Sequence, residues 1–261
     1  MITQFRPNSL CNTLCKLLSW IIVQRLKPYI AEIINLCQAE FVLGHRTSDK
    51  IILVQEVIRT LKSRRGWNGY VAIKLDFEKV YDQLERSFLK EALEFFQMPP
   101  NLITLIMNML SSTRFYILWN GTPLLEVVPS QGVRQDDSLS PYPFILCLEQ
   151  LLIKLEEVVR DKLIHPINFR DKVHLSHLFF IDDIFLFTKA KVRDYKNSCR
   201  ILQNFCDSSG QLISVTKSRL WFSRSTTRHI KEQVAGIFGI HTMDRIGTYL
   251  GTPIFTTHRT A

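Results

Sequence analysis

Two adjacent carboxylates, Asp182 and Asp183, interrupt the apolar, β-rich run His177-Leu178-Phe179-Phe180-Ile181-Asp182-Asp183-Ile184-Phe185-Leu186-Phe187. The flanks belong inside a sheet, but burying a carboxylate without a compensating charge is strongly unfavourable. A tight hairpin that displays both acids at its turn reconciles the two demands. Taken alone, the segment fits acids placed beside divalent metal ions and equally a solvated turn that contains two aspartates.

The run Tyr70-Val71-Ala72-Ile73-Lys74-Leu75-Asp76 favours the first reading. It is short, apolar and β-rich, as a central strand should be, and it ends on Asp76, with the aromatic Tyr81 five residues later. A carboxylate at a strand end, opposite a hairpin bearing two more, is the constellation that two-metal nucleotidyl transfer requires. One ion activates an attacking 3′-hydroxyl and the other steadies the departing pyrophosphate. Mg²⁺ suits such a site because it is held by few carboxylates together with phosphate oxygens and water.

Periodicity places these segments in a fold class. Leu10, Leu14, Leu17, Leu18, Ile21 and Ile22 recur at helical spacing and predict a helix over 9–27, capped by Ser9 and stopped by Pro28, with cations in its last turn. A second helix is expected over 28–37. A third, over 48–64, follows from Ile51, Ile52, Val54, Val57, Ile58 and Leu61. Beyond the strand at 70–76, helices are expected over 84–97, 101–112, 140–162 and 192–208. Residues 114–120 alternate as a strand, and Asn120-Gly121 signals a hairpin into 124–128. A strand pair is expected around 167–187, and short strands after Ser209-Gly210. This order implies an α+β fold, an antiparallel sheet packed on helices.

The chain has 33 Lys and Arg against 24 Asp and Glu, a formal net charge of +9, which favours a polyanionic partner, either nucleic acid or an anionic membrane surface. A membrane protein is disfavoured. The N-terminus has no signal-peptide core, and its longest apolar run, around Leu17 to Val23, is too short to span a bilayer. The six cysteines (Cys11, Cys15, Cys37, Cys147, Cys199 and Cys206) form no C-x-x-C pair and read as reduced residues of a cytosolic or nuclear protein. His174 and His177 flank a strand with no obvious third ligand and read as structural.

The two acidic segments resemble the A and C motifs of reverse transcriptases, and the likeness extends along the chain. Phe5-Arg6-Pro7-Asn8-Ser9-Leu10-Cys11-Asn12, Arg25-Leu26-Lys27-Pro28 and Gln38-Ala39-Glu40-Phe41-Val42-Leu43-Gly44-His45 resemble the fingers of plant LINE-type (non-LTR) retrotransposon enzymes. The segment Ser130-Gln131-Gly132-Val133-Arg134-Gln135-Asp136-Asp137-Ser138-Leu139-Ser140-Pro141 is similar to the B motif. Ser209-Gly210-Gln211 with Lys217-Ser218 resembles the D region, and Tyr249-Leu250-Gly251-Thr252-Pro253 the primer-grip region.

The resemblance implies a reverse transcriptase palm with partial helical fingers over 1–69, palm with inserted fingers segments over 70–255, a tail at 256–261, and no thumb. It implies an RNA-directed DNA polymerase that adds dNTPs to a DNA primer on an RNA template. Two Mg²⁺ ions, with Mn²⁺ as an alternative, would be held by Asp76, Asp182 and Asp183 and by the Phe77 carbonyl. Tyr81 would stand as a steric gate against a 2′-hydroxyl, or else as a core aromatic. Gln135 would lie near the nucleotide and template, and Lys217 near the triphosphate. Arg6, Arg25, Lys27 and Arg46 would contact nucleic-acid phosphates. No further cofactor and no membrane is implied, and the location is nuclear or cytoplasmic rather than secreted.

Departures from the family pattern point to weakened activity. The B motif usually reads Arg-Gln-Gly-Asp-Pro-Leu-Ser-Pro, whereas here Asp136 replaces the glycine and Ser138 the proline. Ile181 stands for an alanine, Arg86 for a tryptophan, and Pro143 falls inside an expected helix. The chain starts almost at the Phe5-Arg6-Pro7 block and stops soon after Tyr249-Leu250-Gly251, which reads as truncation. The alternatives are a catalytically dead nucleic-acid-binding remnant and a relic that folds poorly.

Overall fold

The computed structural model describes residues 12–34, 47–63, 69–135, 137–169, 173–180, 183–243, 248–249 and 252–254. Two helices come first, α1 (Thr13–Ile33) and α2 (Thr47–Ser63), followed by β1 (Tyr70–Glu78). Then come α3 (Val80–Gln83), α4 (Arg86–Phe95), α5 (Pro100–Ser111) and the hairpin β2 (Phe115–Trp119) and β3 (Thr122–Val127). The long α6 (Pro141–Arg160) precedes β4 (Ile167–Phe169), β5 (Val173–Leu175), β6 (His177–Phe180) and β7 (Asp183–Lys189). The remainder is α7 (Val192–Ser209), β8 (Leu212–Ile213), β9 (Arg219–Phe222), α8 (Arg228–Phe238), β10 (Thr248–Tyr249) and β11 (Thr252–Pro253).

Alternation along β1 organises the core. Val71, Ile73, Leu75 and Phe77 enter one large cluster with α1 and α4 to α8, while Ala72 enters a second cluster with α2 residues Val54, Val57, Ile58 and Leu61. Side chains two apart on a strand share a face, so Lys74 and Asp76 follow Ala72 on the α2 side. β1 is the centre of a five-stranded antiparallel sheet. It pairs with β7 along one edge, and with β9 and then β8 along the other, while β6 pairs with β7. The architecture is α+β with the palm-like antiparallel sheet expected.

Several elements differ from the expectation. Pro28 lies inside α1 and does not stop it. A proline removes one backbone donor and crowds the preceding turn, but the turn beyond it is held by tertiary contacts. Tyr29 Oη donates to the Phe96 carbonyl at 2.7 Å, and Ile30 is buried. The first helix is therefore one element through Ile33 rather than two, and Asn12 caps it by accepting from Cys15 N at 2.8 Å. The expected cap Ser9 lies outside the described residues.

The region expected to hold one strand pair forms two, β4 with β5 and β6 with β7. The stretch after Gly210 holds the helix α8 besides strands. Pro143 is accommodated because α6 begins at Pro141, so it falls in the first turn, where backbone donors have no intrahelical partner. Asn120 and Gly121 have φ of 48° and 79°, the two left-handed positions of a two-residue hairpin turn.

No described helix is long and apolar enough to cross a membrane. His174 Nδ1 lies 2.8 Å from Asn168 Oδ1, and the buried His177 has Nδ1 2.9 Å from Ser176 Oγ. Of the described cysteines, Cys147 and Cys206 are buried, and Cys15 and Cys199 partly so. Burial pushes the Cys199 thiol up to about 12 and the Cys206 thiol up to about 11. The thiolate is the reactive form, so alkylation of both by iodoacetamide in the native protein should be slow at pH 8 and rise only above about pH 10. Peptide mapping by mass spectrometry reads this, and rapid labelling at pH 8 would contradict the packing.

Candidate functional site

The site begins with strand register. β1 and β7 run antiparallel with Asp76 directly opposite Asp183, Lys74 opposite Phe185 and Ala72 opposite Phe187. The two carboxylates thus project from neighbouring strands onto one face. Like charges directly opposite each other destabilise a strand pair, and here each acid has its own cation. Lys74 Nζ is 3.2 Å from Asp183 Oδ1, and Lys217 Nζ is 3.5 Å from Asp76 Oδ1.

Lys217 reaches the site because its loop is tied to the backbone of Asp76. Ser214 N donates to Asp76 O at 2.8 Å, and Asp76 N donates to Ser218 Oγ at 3.2 Å. The loop closes on itself through Ser218 N to Ser214 O at 2.8 Å. Arg219 donates to the Thr216 and Ser218 carbonyls, which fixes the turn from the β9 side.

A second cluster follows the end of β1. Lys79 adopts a left-handed conformation, with φ of 45°, and turns the chain sharply into α3. That turn presents Tyr81 and Asp82 to the segment 130–135. Val133 N donates to Tyr81 O at 2.7 Å, Gly132 N to Leu84 O at 2.8 Å, and Gln135 Nε2 to Asp82 Oδ1 at 2.9 Å. Gly132 has φ of 79°, and a Cβ there would stand 2.8 Å from the carbonyl oxygens of both Tyr81 and Asp82, so this approach requires glycine. Tyr81 is half-buried, with its ring 5.5 Å from that of Phe144.

Beside this cluster a cleft of about 930 Å³ opens between β2 and residues 129–135. Arg86, Arg114 and Arg134 line it together with Asp82, Gln135 and Tyr116. Arg114 pairs with Glu126 at 2.9 Å, and Arg134 donates to Thr113 Oγ1 at 2.9 Å. Arg86 Nε reaches the Gly132 carbonyl at 3.4 Å, and burial holds its guanidinium below the ordinary range. The cleft opens on Asp82 and Gln135 rather than on Asp76 and Asp183, and two of its arginines are already paired, Arg114 with Glu126 and Arg134 with Asp137 at 3.8 Å.

The structure therefore brings together Asp76, Asp183 and Lys217, and separately Tyr81 and Gln135. Phe77 points to the opposite face, buried with its ring 6.0 Å from Phe205. Arg25 is exposed and Lys27 half-buried on α1, which packs on α6, and neither joins the described ion pairs around the acids. Asp182, Arg6 and Arg46 lie outside the described residues, as does Asp136.

Sequence reasoning missed Lys74 and Asp82. Lys74 was within reach of it, since period two puts Lys74 on the face of Asp76. Asp82 and Gln135 are 53 positions apart, and no local pattern links them. The donor set fits a hard divalent cation. It offers carboxylate oxygens from two facing strands, each already attracting an ammonium group. Among the described residues no three His, Cys, Asp or Glu side chains converge as a metal cluster.

The family model for reverse transcriptase (RNA-dependent DNA polymerase) matches residues 2–254. Among curated relatives, the retrovirus-related Pol polyprotein from the type-2 retrotransposable element R2DM of Drosophila melanogaster is 25% identical over 229 residues, 88% of this chain. This chain spans only 20% of that polyprotein. An uncharacterized mitochondrial protein of Arabidopsis thaliana is 43% identical over 74 residues, covering 26% of this chain and 59% of that protein. Among solved structures, apo telomerase from Candida tropicalis superposes with a TM-score of 0.52 at 14% identity, over 82% of this chain and 41% of the other. That likeness is one of fold.

Proposed function

Because the chain belongs to the reverse transcriptase family, we propose that the sheet edge carrying Asp76 and Asp183 is the nucleotidyl-transfer site of an RNA-directed DNA polymerase domain. The observation that supports this most is the register of β1 on β7, which sets the two acids face to face at the last pair of that ladder, two residues before β1 ends. Asp76, Asp182 and Asp183, with the Phe77 carbonyl, would hold two Mg²⁺ ions, or Mn²⁺ in their place. When bound, such ions supply activation of a 3′-hydroxyl and neutralisation of a leaving pyrophosphate.

The chain's own groups have the remaining roles. Asp76 and Asp183 present their oxygens on one face. Lys217, on a loop fastened to the Asp76 backbone, would supply positive charge to a triphosphate. Tyr81, supported by Phe144, would crowd a 2′-hydroxyl, and Gln135, oriented by Asp82, would meet the template and nucleotide. Arg6, Arg25, Lys27 and Arg46 would bind phosphates of the RNA template and DNA primer, in keeping with the net charge of +9. The domain would comprise partial fingers over 1–69, palm over 70–255 and a tail over 256–261. The motifs, and the short similarity to an Arabidopsis thaliana protein, support a plant LINE-type non-LTR retrotransposon as its source. A nuclear or cytoplasmic location follows from that reading.

A second reading, a nucleic-acid-binding remnant without catalysis, is favoured by Asp136, which places a carboxylate in the B motif where the family has glycine. Mg²⁺-dependent primer extension on poly(rA)/oligo(dT) separates the two. Asp136→Gly is expected to raise incorporation about tenfold or more, corresponding to about 1.4 kcal/mol of relieved repulsion, and Asp182→Asn to abolish it. Incorporation that appears only in Asp136→Gly would favour the remnant, and none by any folded version would mean that other changes had already removed the activity. Incorporation that survives Asp182→Asn would refute the assignment of the site.

A further inference from the structure

We propose that Lys74 is a positioning residue: its ammonium holds the Asp183 carboxylate opposite Asp76 before any metal ion arrives, and so sets how far the site depends on a divalent cation. The inference rests on the polymerase reading of this sheet edge. Asp76 and Asp183 are direct cross-strand partners, an arrangement that self-repulsion opposes. Lys74 lies two residues before Asp76 on the same face and meets Asp183 Oδ1 at 3.2 Å. Its cross-strand neighbour on β9 is Arg219, whose guanidinium is directed to the Thr216 and Ser218 carbonyls, and its neighbour on β7 is Phe185. Among the described residues, Lys74 is the cation paired with Asp183.

The two ion pairs of the site differ in kind. Lys74 and Asp183 are 18% and 17% exposed, so solvent screens their attraction little. Lys217 is 66% exposed against Asp76 at 21%, a pair that water and salt weaken. An arriving cation can displace Lys217 into solvent, but it must share Asp183 with Lys74. Lys74 therefore preorganises the acid and, by its own charge, lowers the affinity for metal.

Thermal unfolding of the full chain tests this, first with EDTA and then with excess Mg²⁺, alongside Mn²⁺ titration followed by electron paramagnetic resonance. Lys74→Met should lower Tm by about 3–6 °C in EDTA, and Mg²⁺ should raise its Tm more than that of the parent chain, because the ion supplies the missing charge. Mn²⁺ should bind Lys74→Met about tenfold more tightly, in line with relief of one nearby like charge. Lys74→Arg should restore parental behaviour, and in an Asp183→Asn background Lys74→Met should have little effect. If Lys74→Met does not fold, Lys74→Gln is measured in its place. An equal Tm loss with and without Asp183 would reduce Lys74 to packing and overturn the inference while leaving the polymerase reading intact. Absence of Mn²⁺ binding by the parent and by Lys74→Met alike would overturn the metal-site reading itself, and the inference with it.

Discussion

Replacing Gly132 with alanine is expected to lower Tm by about 6–10 °C, equivalent to about 3 kcal/mol in a domain of this size. The left-handed backbone, with φ of 79°, disfavours any side chain by about 1–2 kcal/mol. A Cβ would also sit 2.8 Å from the carbonyl oxygens of Tyr81 and Asp82, both of them backbone atoms. The segment cannot retreat cheaply, because Gly132 N donates to Leu84 O and Val133 N to Tyr81 O. Losing either bond contributes about 1 kcal/mol more. Gly121 is an internal control, with the same φ of 79° and no atom within 4 Å of the place a Cβ would take. Gly121→Ala should therefore show only the conformational part, about 1–2 kcal/mol. Scanning calorimetry of both variants decides the matter, and equal losses would mean that crowding against residues 81 and 82 plays no part.

The second large effect concerns Phe144. It is fully buried in α6, and its ring is 5.5 Å from that of Tyr81. Truncating a buried phenylalanine to alanine costs about 3–5 kcal/mol, and Phe144→Ala should fall in that range. The functional consequence should be separable from the loss of stability. With its support gone, Tyr81 would gain freedom to turn away from the position where a 2′-hydroxyl would be crowded. In primer extension by the Asp136→Gly protein, below the unfolding transition, Phe144→Ala should therefore raise incorporation of ribonucleotides relative to deoxynucleotides. Unchanged discrimination would return Tyr81 to the role of a core aromatic.

Much of the sheet and part of the candidate site were legible in the sequence. The run 70–76 emerged as the central strand because alternating burial on both faces favours short β-rich stretches. The Asn120-Gly121 turn emerged because few residue pairs tolerate two left-handed positions in succession. Asp76 and the acids at 182–183 stood out as charges set against apolar flanks. The helix α8 did not, since within 228–238 Val234 is deeply buried while Ile237 remains exposed, and a glycine interrupts the pattern. Asp82 escaped notice because its meaning depends on Gln135, which reaches it only through the packing of residues 130–135 on α3.

The helix α1 draws the line between what the sequence by itself determined and what only the tertiary structure decided. Its composition and spacing required a helix, and both are local properties. Leu14, Leu17, Leu18 and Ile21 form a helical stripe, yet they are exposed, while Ser19, Ile22, Val23, Leu26 and Ile30 face the core. A helix with apolar residues on more than one side leaves the choice to the surface it meets, here α6 and the large cluster beyond it. Pro28 failed to end the helix for the same reason, since contacts from Phe96 and the core outweigh one missing donor. Likewise the sequence pointed to Asp76 as the end of a strand, but pairing of Phe77 and Glu78 with β8 carries β1 two residues further, and register decided that Asp76 faces Asp183 with Lys74 beside them. Local pattern fixes which residues an element can offer; which of them meet is set by hydrogen bonds and packing between segments far apart in the chain.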